Sequence, residues 1–441
     1  MACGVKLLDL RFGWLLRSIE AGTFIFLFRA VPAHLSQTDG IIEGKLQNPE
    51  RQGPMSTSKR IAVFLDGTWN TLGDNTNVWR LKSLCDSQDP SQLIYYSAGV
   101  GTQLGEKVRG GLFGYGLDHE ITDAFEWLID HYNEGDKLFI FGFSRGAYTA
   151  RSLSGFISKC GLLKPGSPIS VKQLYDRYRR RVDKTIRELV LHAKDAAAVP
   201  AADLEIEERW LLRYSLPIEV DFIGVWDTVG SLGVPFPMKL NVAKYRFLDT
   251  HLRFSNRRAY HALALDEHRA SFAPTLWTRT TKIGDSPAAA RPLEDVEQRW
   301  FVGAHANVGG GYSNDLLAQI PLNWLMSKAA ALGLKFRSNV ELDQTNVVPP
   351  IADSYSSFMG GTYRLCSRPY FRTIGARPIV EPGDTTETIN ETIDGSVFDR
   401  WRSDASYRPQ NLTDWAKRTN ADPALITQSV LASEPTVVVR D

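Results

Sequence analysis

Between Lys137 and Ile157 the chain reads KLFIFGFSRGAYTARSLSGFI: a run apolar at nearly every position, a glycine-serine-glycine turn, then apolar residues at helical spacing. A strand that alternated apolar and polar residues could face water on one side. One that is apolar throughout needs cover on both faces, which parallel sheets flanked by helices provide. Similar runs recur at Ile61–Leu65 (IAVFL), Ile94–Ala98 (IYYSA), Val220–Trp226 (VDFIGVW) and Arg299–Val302 (RWFV). Between the second run and KLFIF, residues Ile121, Ala124, Phe125, Leu128, Ile129 and Tyr132 fall on one helical face, and Gly135 follows as a stop signal. Strand, helix, strand is the unit that builds a parallel sheet. The expected class is therefore α/β, with a mostly parallel central sheet and helices on both faces.

Composition narrows the function by exclusion. Lys and Arg number 51 against 50 Asp and Glu, so no global field draws the chain to nucleic acid or an anionic membrane. The four cysteines (Cys3, Cys85, Cys160, Cys366) are far apart with no CxxC pair, which points to neither a disulfide framework nor a structural zinc site and suits a reducing cytoplasm. The apolar run Gly22–Phe28 (GTFIFLF) is too short to span a bilayer. A start at Met55, just ahead of the first strand, would leave what precedes it as a poorly folded extension.

The expected layout is an N-terminal extension (1–58), a catalytic domain (59–344) and a C-terminal covering segment (345–441) rich in Pro, Gly, Ser and Thr, with weak periodicity. Within the domain, 162–216 reads as an inserted helical cap. One long helix is expected over Val171–Val190, from Leu174, Tyr178, Val182, Ile186 and Val190. Its basic run Arg177–Lys184 (RYRRRVDK) reads as a solvated helix face, with phosphate headgroups as the alternative partner.

Gly142-Phe143-Ser144-Arg145-Gly146 is a G-x-S-x-G pentapeptide set between a buried strand and a helix, the context of a nucleophile elbow and hence of an α/β-hydrolase-like fold. Gly142 and Gly146 are small because a side chain at either would clash in so tight a turn. Ser144 is expected at the positive end of the following helix, with the Arg145 N–H aimed at a developing oxyanion. A serine hydroxyl needs a base, and the base needs an orienting acid. Among eight histidines, His305 follows a β-rich run and opens into Gly309–Gly311, a setting that can place an imidazole in a cleft. His261 and His268 lie in RRAYHALALDEHRA, which reads as helical. Asp227 ends the run DFIGVWD, and the order Ser144, Asp227, His305 is that of an α/β-hydrolase. Asp315 and Asp266 are fallback acids; Asp221 sits at the wrong end of its strand. Asp66-Gly67-Thr68 closes the first strand, where the N–H groups of Gly67 and Thr68 could complete the oxyanion hole. An Asx turn at Asp66 is the equal alternative. This chemistry requires no metal or cofactor.

FLDGTWN, TNVWRL, GFSRGAYTAR, VWDTVGSLG, HALALDEHRASFAPTLW and WFVGAHANVGGGY, in this order, make the chain from about Ile61 to Trp324 resemble the α/β-hydrolase domain associated with type VI secretion phospholipase effectors of the first lipase class. The resemblance implies a Ser-Asp-His triad on Ser144, Asp227 and His305. For some members it implies cleavage of glycerophospholipid acyl chains and export into rival bacteria without a signal peptide. Partners implied are a lipid or ester substrate, transient contact with a membrane surface, and a secretion-system or immunity-type protein. The chain departs from the pattern at Asn307, where Asp is usual, and at Asp394-Gly395, where His-Pro is usual; both bear on the charge of the cleft. The rival reading is a non-catalytic hydrolase scaffold that binds a secretion or envelope partner. Intact motifs around all three candidate residues count against it.

Overall fold

The computed structural model describes residues 58–67, 75–99, 113–180, 182–195, 204–230, 252, 255–282, 291–313, 315–342, 348–376, 379–381 and 384–433, all within the unit Ser56–Asp441. The stretch read as an N-terminal extension falls outside them up to residue 57, as does Thr68.

Thirteen strands are described: β1 (Arg60–Leu65), β2 (Gln92–Ser97), β3 (Lys137–Phe143), β4 (Leu162–Leu163), β5 (Ser215–Leu216), β6 (Val220–Trp226), β7 (Asn256–Ala264), β8 (Thr278–Lys282), β9 (Val296–Phe301), β10 (Ile379–Glu381), β11 (Asp384–Thr388), β12 (Glu391–Ile393) and β13 (Val430–Leu431). Eight of them form one sheet in the order β13-β12-β9-β7-β6-β3-β1-β2. Every neighbouring pair is parallel except β12 with β13. The order reverses beside β1, with β2 on one side and β3 on the other. Such a switch point opens a crevice at the carboxyl ends of the strands, where ligands of open α/β sheets bind.

The apolar runs earn their composition on both faces. Ile61, Val63, Leu65, Leu138 and Ile140 turn toward helices α2 (Phe113–His131) and α3 (Arg145–Cys160). Their neighbours Ala62, Phe64, Phe139, Phe141 and Phe222 turn the other way, toward α1 (Asn77–Leu84) and helix Gln319–Ala331. Period two therefore survives in which face a residue serves, although every position is apolar.

The segment 162–216 is pinched at its root, where Leu162 pairs with Leu216 and Leu163 with Ser215. It holds α4 (Val171–Arg179), α5 (Ile186–Asp195) and α6 (Ile206–Tyr214). The single helix expected over 171–190 is two. Arg177 folds its buried side chain back to donate to the Lys184 carbonyl (2.8 Å), and Thr185 and Glu188 cap the start of α5 reciprocally. Arg180 pairs with Asp183 and Glu207, so part of the basic run is spent on acids of the same insertion. The insertion packs against α2 and α3: Tyr175 donates to Asp118 (2.8 Å), and the Tyr175 and Tyr178 rings meet Phe156.

Two further expectations change. RRAYHALALDEHRA begins as strand β7 and not as a helix, because it lies between β6 and β9 with both faces covered; a short apolar run has no periodicity to tell the two apart. The tail is more than irregular covering. It contributes β12 and β13 to the main sheet, β10 and β11 to a small antiparallel sheet with β8, and two amphipathic helices, Gly395–Ser403 and Gln410–Thr419. Ile393, Val397, Phe398, Leu412 and Trp415 bury a third core against Leu263 and Trp300.

Candidate active site

Ser144 follows β3 directly and stands at the N-cap of α3 with φ 58° and ψ −119°, a conformation that costs a residue with a Cβ about 1–3 kcal/mol. Its amide donates to the Trp226 carbonyl (3.0 Å), which ties the turn to the end of β6. The flanking glycines are obligatory. A Cβ at Gly142 would lie 2.4 Å from the Gly146 carbonyl oxygen, and one at Gly146 would lie 2.2 Å from that of Leu65. The hydroxyl thus emerges at the carboxyl edge of the sheet, beside the switch point and at the positive end of α3.

His305 comes from the turn after β9 and opens the short helix His305–Gly309. Its Nε2 is 2.9 Å from Ser144 Oγ, and its Nδ1 is 2.5 Å from Asp227 Oδ2. Asp227 follows β6 with φ 38°, its amide pinned to the Ala262 carbonyl (2.7 Å). Three residues spaced over 162 positions thus form one hydrogen-bonded line. Of the fallback acids, Asp266 accepts from the Gly303 amide (2.7 Å), and Asp315 accepts from Asn307 Nδ2 and the Leu317 amide. Asp221 accepts from the Leu138 amide at the far end of β6. Asn307 Oδ1 also receives the Ala304 and Ala352 amides, so it splints the His305 turn.

Asp227 is fully buried and unusually well supplied with donors. Besides His305 it accepts from the Ala264 amide (3.0 Å) and, across two oxygens, from Arg372 Nη1 (2.6 Å) and Nη2 (3.0 Å). Burial alone would raise its pKa. The Arg372 charge and the His305 bond outweigh that and hold the carboxyl well below the usual carboxylate range. His305 moves the other way than a simple acid-paired imidazole: burial lowers its pKa against the pull of the Asp227 bond and charge, which favours the neutral ring.

Around this line lies a second set of contacts absent from the sequence reading. Glu267, just beyond β7, receives the His305 amide (3.2 Å) and Ser354 Oγ (2.9 Å). It also forms a two-point pair with Arg269, which brings its carboxyl down to about 2 against the penalty of burial. Arg269 stacks over the Phe272 and Phe358 rings, and Phe272 meets His305 edge-on at 5.0 Å. Glu267 sits inside a motif quoted above, although its type alone assigned it no task. Arg372 had no signal: it is one arginine in an irregular stretch. His261 is a buried strand residue that accepts from the Thr228 amide (3.0 Å), with burial pushing its pKa down to about 3.

The oxyanion side is only partly as expected. Arg145 begins α3, and burial lowers its guanidinium to about 10. The Gly67 amide, however, donates to Asp66 Oδ1 (2.7 Å), while Asp66 Oδ2 accepts from Thr76 (2.5 Å) and Tyr96 (3.1 Å). The Gly67 N–H is thus engaged by the neighbouring carboxylate, which competes for it with any oxyanion; the Thr68 amide, to which an Asx bond from Asp66 would run, lies outside the described residues. Next to the His305 turn a cavity of about 620 Å³ runs along Gly310 and Gly311 to Arg80 and Asp315.

Among proteins of known sequence, the uncharacterized protein YEL023C of Saccharomyces cerevisiae is 27% identical over 249 residues, covering 51% of this chain and 33% of that protein. The match thus spans about a third of that relative's length. Among solved structures, an uncharacterized protein from Pseudomonas aeruginosa aligns with 70% of this chain and 51% of its own, at 16% identity and a TM-score of 0.38, too low to show a shared fold. Residues 59–328, more than half of the chain and the span that carries Ser144, Asp227 and His305, match the family described as type VI secretion system phospholipase effector Tle1-like, catalytic domain, and the chain belongs to that family.

Proposed function

We propose that this chain is a serine hydrolase of the α/β-hydrolase type that cleaves carboxylic esters of lipids, phospholipids foremost. The observation that carries this reading is the line Ser144 Oγ, His305 Nε2, His305 Nδ1, Asp227, with separations of 2.9 Å and 2.5 Å. Ser144 attacks the acyl carbonyl carbon and its proton passes to His305. The Asp227 carboxylate holds the imidazole in the tautomer that accepts at Nε2 and stabilises the imidazolium. The oxyanion forms at the start of α3, where the Arg145 amide is the proposed donor. Collapse expels the alcohol, protonated by His305; water, deprotonated by the same ring, then releases the acyl group as a carboxylic acid and regenerates Ser144. No step calls for a metal or cofactor.

In this reading the catalytic body includes the tail: the rings against His305 are Phe143 and Phe272, and Phe358 of the tail packs on Phe272. Family membership supports a lipid substrate, export by a secretion system, and secretion or immunity partners. Among the described residues no helix is long and apolar enough to cross a membrane.

The test is labelling of wild type and Ser144→Ala with a fluorophosphonate, alongside fatty-acid release from mixed phospholipid vesicles. Wild-type labelling with release, and loss of both by at least about 10⁴-fold in the variant, is expected. Equal labelling of the two proteins would sink the reading, and an unlabelled but folded wild type would favour a binding scaffold.

A further inference from the structure

We infer that Arg372 is a positioning residue of the catalytic centre, acting through Asp227, and that the tail carrying it is a working part of the site, although it lies beyond the family-matched span of 59–328. The inference rests on the hydrolase reading of Ser144, His305 and Asp227.

Arg372 and Asp227 are both fully buried. The guanidinium covers both carboxylate oxygens, a two-point geometry that fixes the plane of the carboxylate as well as its charge. With Asp227 held in that plane, only the edge of Oδ2 toward Nδ1 of His305 remains for the imidazole. The same guanidinium donates to the Ala264 carbonyl (2.7 Å) and the Phe272 carbonyl (2.6 Å). It therefore ties the acid to the end of β7 and to the loop whose Phe272 ring abuts His305.

Charge balance gives this arrangement a chemical consequence. At rest an unaccompanied Asp227 would leave one negative charge buried; with Arg372 the pair is neutral. When Ser144 attacks, His305 gains a positive charge and the substrate oxygen a negative one, so the reacting pair also balances. The second cation opposes proton uptake by His305 and keeps the ring basic-form at lower pH than Asp227 alone would permit. Among the described residues the other charged groups acting on His305 are Glu267 at its amide and Arg269 beyond Phe272, already paired with each other.

Full-length Arg372→Gln, Arg372→Lys, Asp227→Asn and the Asp227→Asn/Arg372→Gln double variant are to be compared for fluorophosphonate labelling rate against pH. Arg372→Gln is expected to label on the order of 100-fold more slowly, by analogy with groups that orient catalytic ligands, and to move the acid limb upward. Arg372→Lys keeps the charge and should leave the limb near wild type. The double variant should be no slower than Asp227→Asn, since a residue acting through Asp227 has nothing left to orient. Should Arg372→Gln not fold, the double variant, which removes both buried charges together, and Arg372→Lys carry the decision. Labelling of Arg372→Gln within about threefold of wild type with an unmoved limb would overturn the inference; so would a double variant slower than Asp227→Asn. Ser144→Ala run in parallel separates the two levels: its labelling would remove the hydrolase reading itself, whereas its silence beside an indifferent Arg372 removes only this inference.

Discussion

The two ends of the Ser144, His305, Asp227 line are held by opposite means. At the serine end the elements that present the hydroxyl are local, although the Trp226 and Leu65 carbonyls seat the turn. One strand, two glycines and one helix, all within Lys137–Cys160, force the hydroxyl out at the sheet edge. At the aspartate end almost nothing is local. The carboxylate owes its ionisation to His305, 78 positions away, and to Arg372, 145 positions away. A nucleophile must be presented, which backbone geometry does; a buried charge must be neutralised, which only another charge can do. The two ends should therefore respond differently to perturbation.

The largest effect should come from the serine end. Gly146→Ala drives a Cβ into the Leu65 carbonyl, where backbone and not a flexible side chain stands in the way. A loss of about 3 kcal/mol in urea unfolding is expected, with labelling of Ser144 reduced in the protein that remains folded. A stability within about 0.5 kcal/mol of wild type would show that the elbow can yield and that its local control is weaker than the geometry indicates.

The aspartate end should announce itself in the pH profile. Because burial lowers the pKa of His305 despite its acid partner, the acid limb of kcat/KM should lie below the roughly 6.5 of a free imidazole. The rate should fall about tenfold per pH unit under that limb, as protonation of Nε2 removes the base. A limb above about 7 would mean that the Asp227 charge dominates and that burial and Arg372 count for little.

Least affected should be the cavity beyond Gly310. Asp315→Asn keeps the size of the side chain and its contact with Asn307 while removing a charge from the wall shared with Arg80. We expect kcat to stay within about twofold and KM to change by no more than about fivefold, in a direction that depends on the headgroup offered; unequal changes between neutral and charged esters would mark the cavity as a headgroup site. A fall in kcat of about 100-fold or more would instead make Asp315 part of the line through Asn307.

Legibility in the sequence follows the same division. The run around Ser144 could be read because its instruction is contiguous, and the ends of β6 and β9 pointed to Asp227 and His305 because strands buried on both faces have a recognisable composition. Strand β7 was misread, since nine residues in the middle of a sheet obey their neighbours and not their own periodicity. The break between α4 and α5 was missed because it depends on where the Arg177 side chain finds its acceptor. Gly67 shows the limit at the oxyanion side: the residue types suit an oxyanion donor and an Asx turn equally, and only the fold brings the Asp66 carboxylate onto the Gly67 amide.

By itself the sequence determined the α/β class, the strand-turn-helix around Ser144 and the three residues proposed as nucleophile, base and acid, because each depends on a few adjacent residues and on covering a strand. Only the tertiary structure decided that the three meet, that Glu267 receives the His305 amide, and that Arg372 from the tail neutralises Asp227. Those are contacts between segments far apart in the chain, and the free energy of a buried charge depends on which other charges the fold brings beside it, a quantity that no local pattern of residues encodes.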